Sequence, residues 1–242
     1  MPALDQPAVW LLDIDGTLIF TDHLYREVFV ELLTPLGYDV TDDFYHANVF
    51  GKVDSDVFGK LMPAGTSEEE LLGMSKKKDA CFVKLYNAAV QKAGAPPMVQ
   101  GLPEALEKAK QAGVRAIAVT NAQRGAGEAA VATLQAHIPA ASIIEGLVIG
   151  AECASAKPAP DPYLEGMRQL GVRPEDCVVF EDSRSGVRAG LAAGVPCIGI
   201  RSTLTHEDLM ATGCAATIAD WTELTSDVLA GLGGRLGTPE MP

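Results

Sequence analysis

The stretch VWLLDIDGTL, residues 9–18, decides the fold. Val9 to Asp13 is short, apolar and ends in carboxylates, as a parallel strand buried on both faces would. It runs directly into Asp13-Ile14-Asp15-Gly16-Thr17. Open parallel sheets bind ligands in the crevice outside the carboxyl ends of their strands. The two carboxylates therefore stand where such a sheet does its chemistry.

Working outward, Leu24, Val28, Leu32 and Leu33 recur at helical spacing, with Gly37 as a stop. The chain stays helical in character to about Ala93. Ser67 followed by Glu68, Glu69 and Glu70 predicts a helix start, with acidic residues against the helix dipole. Gly94-Ala95-Pro96-Pro97 is the clearest linker. Beyond it, strands alternate with helices. The predicted strands are Val114 to Thr120, Ser142 to Ile144, Cys177 to Glu181, Val195 to Ile200 and Ala215 to Ile218. The predicted helices are Pro103 to Ala112, Glu128 to His137, Asp161 to Leu170, Ser185 to Ala193, His206 to Thr212 and Thr222 to Leu229. Such alternation implies right-handed crossovers and helices on both faces of a parallel sheet. The expected fold is α/β: a doubly wound, Rossmann-like parallel core made of residues 1–20 and 97–242. A helical module, residues 21–96, is inserted after the first strand.

Composition narrows the function classes. The formal net charge of −13 argues against broad binding to nucleic acid or an anionic membrane. No segment reaches the roughly 18 apolar residues of a membrane helix. Cys81, Cys153, Cys177, Cys197 and Cys214 are odd in number and widely spaced, without a CxxC pair, which fits a reducing compartment. Met1 to Gln6 lacks a basic region followed by an apolar run. The chain reads as a cytoplasmic monomer, with a plastid location after transit-peptide removal as the alternative.

Three predicted strands end in polar or acidic groups: Asp13 to Thr17, Thr120-Asn121, and Glu181-Asp182-Ser183. If these strands are adjacent and central, up to four carboxylates share one crevice, a repulsion that needs a cation. Oxygen ligation with room for water suits magnesium. The histidines His23, His46, His137 and His206 are scattered, and no His or Cys cluster suggests zinc. Lys157, in Ala156-Lys157-Pro158, can neutralise a phosphate oxygen and hold Asp13 ionised.

DIDGTL at 13–18 resembles the first motif, DxDGT, of the haloacid dehalogenase superfamily. VTN at 119–121 resembles its second motif, Lys157 its third, and VFEDSRSG at 179–186 its fourth. The helical insert between the first two resembles the subclass with a helical cap. The region from Ala118 to Ile200 is similar to the plant and algal sugar-phosphate phosphatases and to beta-phosphoglucomutase. This resemblance implies a phosphoric monoester hydrolase acting on a small phosphorylated metabolite, with Mg2+ as cofactor. Asp13 would be the nucleophile and Asp15 the general acid and base. The metal would lie between Asp13, the Asp15 carbonyl, Asp182 and the phosphate, with Glu181 behind them. Gly16, Thr120, Asn121 and Lys157 would hold the phosphoryl group. Lys52, in Gly51-Lys52-Val53-Asp54, would reach the substrate from the cap. Relatives often differ from this chain at Phe20-Thr21 and carry His where Tyr25 stands, which bears on the leaving-group contacts. A phosphosugar mutase and a non-catalytic sugar-phosphate sensor are the alternative readings.

Overall fold

A computed structural model describes residues 8–49, 52 and 54–232 of the chain. Six parallel strands form one sheet. They are β1 (Val9–Leu12), β2 (Arg115–Thr120), β3 (Ile144–Ile149), β4 (Cys177–Glu181), β5 (Cys197–Ile200) and β6 (Ala216–Ile218), in the order β3-β2-β1-β4-β5-β6. The order reverses at β1, which pairs with β2 on one side and β4 on the other. The sheet's switch point, where this class of fold binds ligands, thus falls at the strand that leads into Asp13.

The near-continuous apolar strands fill both faces. Trp10, Leu12, Ala118, Val178 and Phe180 belong to one buried cluster, and Val9, Leu11, Ile117, Val119 and Val179 to another. Alternate residues of a strand point to opposite faces, so one apolar run supplies both. Helix α5 (Leu102–Gln111) and helix α6 (Arg124–His137) contribute Leu106, Ala109, Ala130 and Leu134 to the first cluster. Helix α7 (Asp161–Leu170) and helix α8 (Arg184–Ala192) contribute Tyr163, Met167 and Val187 to the second. Helices α9 (His206–Thr212) and α10 (Ser226–Ala230) follow.

Between β1 and β2 lie α1 (Asp22–Leu33), α2 (Asp42–Asn48), α3 (Asp54–Leu61) and the long α4 (Glu68–Ala93). They have a small core of their own, built on Phe29, Leu33, Tyr45, Val57, Phe58 and Met74. The capping box read at Ser67 is present. Its hydroxyl accepts from Glu70 N, and the Glu70 carboxylate accepts from Ser67 N at 2.8 Å. Gly94 ends α4 with a φ of 75°. Phe20 N donates to Pro97 O at 2.7 Å and Val99 N to Leu18 O at 2.9 Å, so the segments entering and leaving these helices are tied together. No described helix is long and apolar enough to cross a membrane.

Several boundaries differ from the sequence reading: β5 begins at Cys197 rather than Val195, and α10 begins at Ser226 rather than Thr222 because Trp221–Glu223 forms a separate 3-10 turn. β3 begins at Ile144, where the predicted strand ended, because Pro139–Ile143 closes into a 3-10 turn. The strand then runs through Glu145-Gly146, which had masked its apolar continuation. Glu145 faces outward to the Arg115 guanidinium at 2.6 Å, and the register with β2 shifts beside it. α6 begins at Arg124 rather than Glu128, its first turn hidden by Gly125 and Gly127.

One aromatic group joins the core to the loop after β1. Trp221 stacks on Trp10 with ring centroids 5.8 Å apart and meets Phe180 at 4.8 Å. Its Nε1–H donates to Thr17 O at 2.8 Å. Trp221→Phe keeps most of this packing and loses the bond. It should lower unfolding free energy by about 1–2 kcal/mol, since a buried acceptor is left unpaired. Urea denaturation measures this.

Candidate functional site

Of the four carboxylates expected to share one crevice, Asp13, Glu181 and Asp182 cluster, and Asp15 stands outside the cluster. Asp13 and Glu181-Asp182 stand at the ends of the adjacent strands β1 and β4, and Asp13 N donates to Phe180 O at 3.1 Å. One carboxylate oxygen from each of Asp13, Glu181 and Asp182 lies within 4.8 Å of the others, and all three residues are buried. Lys157 arrives from the loop after β3. Its ammonium is 3% exposed with its residue and donates to Asp13 Oδ1 at 2.8 Å, Glu181 Oε1 at 2.7 Å and Val119 O at 2.8 Å. These three bonds use all three of its protons.

The loop that carries Lys157 is held by Asn121. The amide of Asn121 donates to Lys157 O at 3.0 Å and accepts from Lys157 N at 3.1 Å. The Asn121 side chain is thus committed to that backbone. Thr120 is buried, and its Oγ1 accepts from Ala122 N at 2.9 Å, which leaves the hydroxyl proton for another acceptor.

Glu181 is fully occupied. Oε1 accepts from Lys157 and from the Tyr163 hydroxyl at 3.0 Å. Oε2 accepts from Asp182 N, Ser183 N and the Ser183 hydroxyl. It is close enough to count among cation ligands, but its oxygens are spent, so it sits behind the other two. Asp13 Oδ2 and Asp182 Oδ1 accept from no donor among the described residues. Asp182 Oδ2 takes the hydroxyls of Thr203 and Ser202.

Gly16 follows with a φ of 78°, a conformation that favours glycine. A Cβ there would lie 2.0 Å from Asp182 Oδ2, so its missing side chain makes room for that carboxylate. The Ser202 hydroxyl donates to Gly16 O at 2.6 Å. Asp15 lies just beyond, its Oδ1 accepting from the Thr21 hydroxyl at 2.6 Å.

Electrostatics follow from this crowding. Burial and the neighbouring Glu181 carboxylate raise the pKa of Asp13, against the opposing pull of Lys157. Burial and Asp13 raise that of Asp182. Burial also raises Asp15, opposed by the Thr21 hydroxyl and the Lys78 ammonium. Burial disfavours the charged form of Lys157, but Asp13 and Glu181 outweigh it and push its pKa up. Three carboxylates around one ammonium leave an excess of negative charge in a poorly hydrated place. The two open oxygens and this charge fit a hard divalent cation.

Lys52 is not brought to this cluster. It is exposed, and its ammonium donates to Ala47 O. Its neighbours Gly51 and Val53 lie outside the described residues. The sequence reading missed Thr21, Tyr163, Ser202 and Thr203, hydroxyls that hold the carboxylates. It also missed Lys78 of α4, buried and paired with Asp54 at 2.7 Å. A lysine on the same helical stripe as Met74, Phe82 and Tyr86 was the available signal. A cleft of about 450 Å³ beside Leu147, Ile149, Leu164 and Arg168 contains none of these carboxylates.

The fold is a doubly wound α/β sheet with three buried carboxylates and a buried lysine gathered at its switch point. Residues 10–200 match the family model of haloacid dehalogenase-like hydrolases, and the chain belongs to that family. The protein CbbY of Rhodobacter capsulatus is 30% identical over 203 residues, spanning 82% of this chain and 87% of that protein. The validoxylamine A 7'-phosphate phosphatase of Streptomyces hygroscopicus subsp. limoneus is 29% identical over 218 residues, 89% of this chain and 95% of that one. The crystal structure of CbbY from Rhodobacter sphaeroides in complex with phosphate superposes with a TM-score of 0.76 at 26% identity, covering 92% of this chain and 98% of that one.

Gly186, in the first turn of α8, faces Glu181, and a Cβ there would lie 1.6 Å from Glu181 Oε1. Gly186→Ala should therefore cost about 1–3 kcal/mol through overpacking, despite alanine's better helix propensity. A fall in Tm by calorimetry checks this.

Proposed function

We propose that the chain is a magnesium-dependent phosphatase that hydrolyses small phosphate monoesters, sugar phosphates foremost, through an aspartyl-phosphate on Asp13. The observation that carries this reading is the state of Asp13. It is a buried carboxylate at the switch point, with one oxygen fixed by Lys157 and the other open.

In the first step an Asp13 oxygen attacks phosphorus and the ester P–O bond breaks. The departing alkoxide takes a proton from Asp15, whose raised pKa favours carrying one. In the second step Asp15 takes a proton from water. The water oxygen attacks phosphorus, and inorganic phosphate leaves as the Asp13 carboxylate is restored. Thr21 orients Asp15 through its hydrogen bond. The Thr120 hydroxyl, the Asn121 backbone and the Lys157 charge face the phosphoryl oxygens, where charge builds up in the transition state. Asn121 serves mainly by fixing the Lys157 loop. Asp13, Asp182 and the Asp15 carbonyl would hold magnesium, which supplies charge neutralisation for carboxylates and phosphate.

Residues 21–96 act in this reading as a cap over a core of residues 1–20 and 97–242. Their separate apolar cluster and the paired entry and exit segments support it. That the Streptomyces relative is a phosphatase supports the reaction type.

A panel of phosphorylated sugars and glycerol phosphate should release inorganic phosphate with magnesium and not with chelator, without activation by a bisphosphate. Asp13→Asn should lower turnover by about 10³-fold or more, as loss of a nucleophile does, while circular dichroism stays unchanged. Retained turnover in that variant would remove Asp13 from its role. Separately from activity, millimolar magnesium should raise the Tm of the wild type and have little effect on Asp182→Asn, because a ligand stabilises the state that binds it.

A further inference from the structure

Helix α4 carries two consecutive side chains that serve different elements. Lys78 pairs with Asp54, and its charge bears on Asp15. Asp79, the next residue, reaches α6: its Oδ1 accepts from Ala126 N at 3.1 Å. Ala126 lies in the first turn of α6, which starts at Arg124. The first N–H groups of a helix have no partner within it, and a carboxylate is the favoured acceptor there. The helix's own N-cap residue, Gln123, makes no side-chain cap bond. The cap comes instead from a residue 47 positions earlier, on the inserted helices.

The place is significant. α6 follows directly on Thr120-Asn121, the β2 end of the candidate site. Deeper along the same two helices, Phe82 and Tyr86 of α4 share an apolar cluster with Ala126, Ala130 and Leu134 of α6. Apolar contact has little directional preference and tolerates sliding. A hydrogen bond at 3.1 Å does not. Gly125 completes the fit, since a Cβ there would lie 2.6 Å from Asp79 Oδ2.

We propose that Asp79 is a positioning residue. By capping α6 from the insert it latches the helical module over the carboxylate crevice, and so fixes how the leaving group of the ester is held. The inference about leaving groups rests on the phosphatase reading, whereas the latch itself does not.

The test uses the full chain and three variants. Asp79→Ala removes the acceptor. Asp79→Asn keeps an oxygen in place. Gly125→Ala leaves Asp79 present but displaces it, and alanine's better helix propensity offsets part of the lost cap, so its Tm should fall less than that of Asp79→Ala. Two substrates are compared: the sugar phosphate released fastest by the wild type, and acetyl phosphate, whose small leaving group needs little from the insert. Asp79→Ala and Gly125→Ala should each raise KM for the sugar phosphate roughly tenfold, the scale of one charge-assisted hydrogen bond. Their kcat/KM for acetyl phosphate should stay within about twofold, and the double variant should be no worse than either single one. Asp79→Asn, which keeps an acceptor but not the charge, should lie closer to wild type than to Asp79→Ala on both substrates. Hydrogen exchange at the Ala126 amide should quicken about tenfold in the two disruptive variants and not in Asp79→Asn. Equal losses on both substrates, a wild-type Gly125→Ala, or unchanged exchange at Ala126 would each overturn the latch. If the wild type releases no phosphate from any ester, the reaction is wrong, and the exchange measurement still decides the latch.

Discussion

The ammonium of Lys157, buried between Asp13 and Glu181, is the interaction on which the rest of the site depends. Carboxylates on adjacent strand ends repel, and their burial weakens the screening that bulk water would give. A lysine in such a place would lose its proton if it stood alone. Asp13 and Glu181 keep the lysine protonated, and each member of the group is costly to remove because its partners are left buried and uncompensated. Much of the surrounding sequence serves this group. Asn121 pins the loop that brings the lysine, Tyr163 and Ser183 complete Glu181, and Gly186 leaves the space Glu181 fills.

The negative charge that remains explains why the site fits a cation, and a phosphate entering so acidic a crevice needs that cation beside it. The global field does not favour a phosphate, so attraction must be local. Thr203 and Ser202 turn one oxygen of Asp182 away into hydrogen bonds, and Lys157 does the same for Asp13. One oxygen on each is left facing the crevice. The division of each carboxylate into a held and a free oxygen gives the pair a direction.

The parts of this arrangement that were legible in the sequence share a property: they are short-range or compositional. Asp13, Asp15, Glu181 and Asp182 could be read because each follows directly on a run of apolar residues, and Ser67 with Glu70 because a capping box is local. The β3 strand was misread because Glu145-Gly146 breaks its pattern, and only the pairing of Glu145 with Arg115 across the sheet edge makes sense of it. Thr203 acts on Asp182 from 21 residues further along the chain, a distance that periodicity does not encode. A threonine hydroxyl in a loop has no sequence signature of its partner. Lys52, by contrast, was placed by likeness of position, and the structure gives it a backbone carbonyl instead.

The pairing of Phe20 with Pro97 and of Val99 with Leu18 has an evolutionary consequence. The two ends of the inserted helices leave the sheet side by side, already hydrogen-bonded to each other. Parts of the insert that touch only one another, such as the cluster around Phe29, Tyr45 and Phe58, can diverge while the strands keep their register. Such a junction lets the outlying part of the inserted helices be redrafted while the sheet beneath stays as it was.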